Sequence, residues 1–180
     1  EPPVVPHHER PAGVAAAKPA ILILTLILTM TGVIFGANEV TTIAVAKEAG
    51  QEAMAGAILG LFALGSAVAD LYYGTRTTRM PLPRQLVFGT LGMAALEAPV
   101  LLARDLVPLA GVLTIAGMAT APTLIIGISL AQRVLPEAQI NEGLMVIMTG
   151  LTIGVAAGAA ISGRIIERVE AHAGYSVAVA

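Results

Sequence analysis

Hydrophobic positions fall into five long runs separated by short polar connectors. The first run, from Ile21 to Val45, reads ILILTLILTMTGVIFGANEVTTIAV and carries one formal charge, Glu39, directly after Asn38. A helix of about 25 residues is longer than the ~30 Å hydrocarbon core of a bilayer. The runs predict spans at 20–46, 53–73, 86–102, 106–130 and 143–166. Residues 173–180 open a sixth apolar helix, far shorter than the ~20 residues needed to cross. The expected fold class is therefore all-α, a polytopic transmembrane helix bundle of five full spans plus the start of a sixth.

Between the runs the polar residues set the order and orientation of the helices. Residues 1–19 contain Pro2, Pro3, Pro6, Pro11 and Pro19 and read as a linker too broken to hold a helix for long. His7 and His8 stand there without further ligands, so a solvated linker is expected rather than a metal pair. The apolar run that follows is too long for the core of a secretory signal, and the start at Glu1 predicts further sequence upstream. The connector from Lys47 to Glu52 is short enough to make the first two spans antiparallel neighbours. The connector from Gly74 to Gln85 holds Arg76, Arg79 and Arg84 and is the best candidate for a cytoplasmic loop. That places residues 1–19 and 131–142 inside, and Lys47, Arg104, Arg164 and Arg168 outside.

Composition excludes several classes. Charged residues make up 12% of the chain, where a soluble domain has about 25%. The mean hydropathy is +0.83. Five such runs in 180 residues leave too little polar surface for a soluble protein. The ten Lys and Arg are dispersed, so no footprint for nucleic acid is present. The absence of Cys excludes a disulfide framework and a thiolate metal site, and no cofactor is implied. No GxSG serine, HExxH, pair of intramembrane aspartates or Gly-rich phosphate loop occurs, so an enzyme is not expected.

Small residues carry the packing signal, because lipid gives helices no hydrophobic reason to associate. Gly150, Gly154, Gly158 and Ser162 recur every four residues on one face of the fifth span, and Gly56 and Gly60 repeat the spacing in the second. Thr41 and Thr42 are expected to bond back to their own helix. Met145 and Met148 are expected to pack.

GSAVADLYYGTR, from Gly65 to Arg76, followed by a loop with Arg79, resembles the second copy of the cytoplasmic-loop motif of major facilitator superfamily transporters, which follows their eighth helix. Relative to that motif Asp70 lies one position further from Gly74. GMATAPTLIIGISLAQRVLP, with Gly117, Ala121 and Pro122, is similar to the tenth helix of the drug and sugar efflux branch. Glu142 to Gly163, and then the chain from Ala173, resemble the eleventh helix and the start of the twelfth. The resemblance implies a C-terminal half-domain over 20–180, preceded by the end of a central linker and partnered by an N-terminal six-helix half. Spans one, two, four and five would contribute to a central cavity, and span three would lie outside.

Read this way, Asn38, Glu39, Asp70 and Glu97 are the candidates for a substrate or proton pathway. Intramembrane carboxylates are costly and are functional hypotheses by default. A bland alternative pairs Glu39 with Lys47 or Arg104, and lets Glu97 reach the outer headgroups. Pro122 and Thr123 are candidates for the cavity wall or a hinge; Gly65, Asp70, Gly74, Arg76 and Arg79 form the loop motif. The expected function is a permease effluxing a small molecule, with protons as coupling ion, in the bacterial inner membrane. The rival is a non-transporting structural membrane subunit that packs with another membrane chain.

Overall fold

A computed structural model describes residues 13–75 and 80–179, and His7, His8, Arg76 and Arg79 lie outside the described residues. Five long helices dominate: α1 (Gly13–Glu48), α2 (Glu52–Gly74), α3 (Leu82–Glu97), α4 (Leu106–Val134) and α5 (Ile140–Arg168). Short 3₁₀ segments, Ala98–Leu102, Glu137–Gln139 and Ala171–Tyr175, link or extend them, and α6 (Ser176–Val179) follows the last. No strand occurs among the described residues. With α3 and its 3₁₀ extension taken together, five segments are long and apolar enough to cross a membrane. The protein is an all-α, multi-pass integral membrane protein.

Helix ends follow local chemistry. Gly50, at φ 67°, closes α1 with a Schellman pattern: Gln51 N–H donates to Ala46 C=O at 2.9 Å and Gly50 N–H to Lys47 C=O at 3.0 Å. The α-helical part of α3 stops at Glu97, two residues before Pro99, and continues as 3₁₀. A proline lacks the N–H that would bond four residues back, so the tighter turn takes over there. One expectation is corrected at the start of the chain. The helix runs through Pro19 and begins at Gly13, so 13–19 is not irregular linker. The good helix formers Ala15, Ala16, Ala17 and Lys18 outweigh one missing bond near the helix end.

The bundle is built by pairs. α5 packs along α1, α2 lies against α4 and more lightly against α1, and α3 sits at the edge on α4. Two apolar clusters fill it. One gathers Val45, Ala55, Ile58, Leu109, Leu113 and Tyr175 near the α1–α2 turn; the other gathers Leu24, Leu28, Leu86, Ile126, Leu135 and Ile147 at the opposite end. Residues such as Leu22, Leu64, Leu71, Phe88, Leu102 and Ile153 are exposed, as expected where lipid rather than water is the solvent.

Close contacts rest on glycine. A Cβ at Gly154 or Gly158 would fall on the backbone carbonyl of Thr29 or Val33, and one at Gly150 would strike Thr25 and Thr29. The complementary surface on α1 comes from Gly32 and Gly36, whose added Cβ atoms would fall on the carbonyls of Leu151 and Val155. α2 and α4 approach in the same way, Gly65 against Thr114 and Gly117 against Phe62. Gly56 and Gly60 do not follow suit: among the described residues a Cβ at either would meet nothing within 4 Å, so neither is a close helix contact there. They lie on the side of α2 turned away from α4.

Candidate functional site

Between α1, α2 and α4 runs an open groove of about 490 Å³, lined among others by Phe35, Asn38, Glu39, Phe62, Ser66 and Asp70. Along α2 it extends from Leu59 to Asp70, about 16 Å at 1.5 Å per residue. Its walls are mostly apolar. Phe35 and Phe62 meet edge to face with ring centroids 5.7 Å apart, joining α1 to α2 in the wall. Ser66 donates its hydroxyl to Gly117 C=O at 2.7 Å, tying α2 to α4 where the two backbones are closest.

Two carboxylates mark this groove. Glu39 is exposed and forms no ion pair among the described residues, so the alternative that pairs it with Lys47 or Arg104 does not occur. Asp70 is half-buried, and its Oδ1 is buried with no hydrogen-bond partner among the described residues. Because α1 and α2 are antiparallel, Glu39 lies toward the α1–α2 turn and Asp70 toward the far end of α2. Among the described residues no Lys or Arg lines the groove.

Among protein-family models, curated proteins and solved structures, none matches this chain. The site is therefore read from its own geometry.

Other candidates sit elsewhere. Glu97 is 1% exposed and does not reach the headgroups. It accepts a hydrogen bond from Nδ2 of Asn38, which is 2% exposed. Glu97 is the last α-helical residue of α3, and this hydrogen bond sets that end of an otherwise peripheral helix beside α1. Pro122 lines a second, apolar hollow of about 400 Å³ with Val68, Tyr72, Tyr73 and Met118, and not the groove. Thr123 is fully buried toward Gly89 of α3, with its hydroxyl bonded to Ala119 C=O at 2.9 Å. From α4, Leu124 reaches the groove.

Within the loop motif, Gly65 is a packing residue and Gly74 is the last residue of α2. There the Thr75 hydroxyl caps the chain by donating to Tyr72 C=O at 2.8 Å. The threonines of α1 also depart from expectation. Thr42 shares a 2.8 Å hydrogen bond with the Tyr175 hydroxyl, and Thr41 Oγ1 has no partner. Met145 is exposed and Met148 packs against the second apolar cluster. Residues missed by sequence reasoning include Ser66, Phe35, Phe62, Gly32 and Gly36; of these only the two glycines carry a signal that could have found them, their four-residue spacing.

At the end holding the α1–α2 turn a further, more polar hollow of about 520 Å³ brings Glu48, Gln51, Arg104, Asp105, Glu170 and His172 together. These residues come from three separate connectors. The alternating up-and-down path of the helices places those connectors on one side.

Proposed function

We propose that the chain is the C-terminal half-domain of a major facilitator superfamily permease, which effluxes a small molecule in exchange for protons. The observation that carries this reading is the groove between α1, α2 and α4. An apolar channel wall bearing carboxylates at separate depths is what alternating access to a small molecule requires. Glu39, open to the groove, and Asp70, with an unpartnered oxygen, are the residues for substrate or proton contact. The exposed glycines of α2 and the leucine-rich outer faces leave room for a second six-helix half. The bacterial inner membrane is the proposed location.

A structural subunit without transport is the rival, and carboxylates along an otherwise apolar groove weigh against it. The test is efflux from proteoliposomes holding the complete transporter, with compounds drawn from a screen under an imposed proton gradient. Glu39→Gln and Asp70→Asn are each expected to bring gradient-driven efflux down toward that of protein-free vesicles. Undiminished and equally pH-dependent efflux in Glu39→Gln removes Glu39 from coupling. No transport of any compound by the unsubstituted protein favours the structural subunit.

A further inference from the structure

Where α1, the end of α3 and the 3₁₀ turn Ala171–Tyr175 meet, five polar side chains are withdrawn from water and lipid alike: Asn38, Thr41, Thr42, Glu97 and Tyr175. Two hydrogen bonds order them, Asn38 Nδ2 to Glu97 Oε1 and the Thr42–Tyr175 hydroxyl pair. Three oxygens are left over. Asn38 Oδ1, Thr41 Oγ1 and Glu97 Oε2 are each buried and without a hydrogen-bond partner.

Thr41 is the telling member of this set. A helical threonine commonly gives its hydroxyl to the carbonyl four residues back. Thr29, Thr31, Thr114, Thr120 and Thr123 all do so here. Thr41, fully buried, does not. It stands three residues after Asn38, on the same face of α1. Gly174 leaves it room, because a Cβ at that position would strike Thr41 Oγ1. Asn38 Oδ1 shares its carboxamide with the nitrogen that touches Glu97, so the free oxygen stays beside the carboxylate.

Charge then selects the ligand. Glu97 brings one carboxylate, and among the described residues its hydrogen-bond partner is a neutral amide. An isolated carboxylate in an apolar interior is strongly unfavourable unless a proton or a cation neutralises it. Oxygen-only ligands suit hard cations. A divalent ion would leave net positive charge behind, and no cluster of three His, Cys, Asp or Glu able to hold one occurs among the described residues. Asn38 also lines the groove, which provides a way in.

We propose that Asn38 Oδ1, Thr41 Oγ1 and Glu97 Oε2 bind one Na⁺ ion, admitted from the groove past Asn38. The ion joins α1 to the end of α3, beside the turn that leads into α6. This site does not depend on the transport reading, because a structural subunit would hold the ion equally well.

The test uses the purified protein in detergent, exchanged into NaCl, KCl or N-methylglucamine chloride at equal ionic strength and fixed pH. Thermal unfolding is followed by helical circular dichroism. A saturable rise of the midpoint with Na⁺, absent with the other two cations, is expected. Glu97→Gln should flatten the response, and Thr41→Val should raise the half-saturating Na⁺ concentration roughly tenfold or more. Glu52→Gln, remote and exposed, should keep the full response. If Glu97→Gln does not fold, Thr41→Val carries the test alone. Equal midpoints in all three salts overturn the proposal, as does a Na⁺ response that survives both variants. A midpoint that moves with pH but not with Na⁺ also overturns it, because a proton rather than a metal ion then neutralises Glu97.

Discussion

Asn38 and Glu97 lie 59 positions apart in the chain, yet each is the other's hydrogen-bond partner in the bundle interior. Removing one member should cost more than removing both, since a single loss leaves a buried polar group unsatisfied. Asn38→Leu is therefore expected to destabilise the protein by about 1–3 kcal/mol, and Asn38→Leu combined with Glu97→Leu by less than the sum of the two single changes. Unfolding in mixed micelles, run as a double-mutant cycle, measures the difference; additive losses would mean that the pair is not coupled. Glu39 teaches the opposite lesson. It is the most conspicuous charge in the first hydrophobic run, but it is exposed to the groove and needs no partner to be accommodated. Sequence reasoning could identify both carboxylates as out of place. It could not tell which was buried, because that depends on where α3 ends relative to α1.

At the scale of elements, spacing was informative only where a partner helix came close. The glycines of α5 and the glycines of α1 share the four-residue interval, and together they let two backbones touch. Gly56 and Gly60 share it too, yet an added Cβ at either would meet nothing among the described residues. The interval therefore marks a smooth face without saying what covers it. Gly154→Leu and Gly158→Leu should each push α1 and α5 apart and destabilise the protein by about 1–3 kcal/mol or more. Gly56→Leu should change its stability by roughly 0.5 kcal/mol or less. The same micelle unfolding assay reads all three. If the Gly56 variant impairs transport while leaving stability intact, that face of α2 is where a second half-domain packs. A Gly154→Leu variant as stable as the unsubstituted chain would mean that α1 and α5 do not approach as described.

For the whole molecule, the alternation of apolar runs and short connectors predicts which connectors share a side. Gln51, Arg104 and His172 come together around one hollow, while Gln85, in the first turn of α3, and Pro136, in the connector after α4, lie at the other end. Because the chain has no cysteine, single Cys substitutions can report this directly. Cysteines replacing Gln51, Arg104 or His172 should react with an impermeant maleimide from one side of a sealed vesicle, and those replacing Gln85 or Pro136 from the other. Labelling of Arg104→Cys and Gln85→Cys from the same side would break the five-span topology. By itself the sequence determined the solvent, the helical class and the number of spans, because these follow from length, hydropathy and the need of every backbone group in lipid for an internal partner. Tertiary structure alone decided which polar groups are sealed in and which face the groove. Those outcomes turn on contacts between residues far apart in the chain, such as Asn38 with Glu97 and Thr42 with Tyr175, which no local pattern encodes.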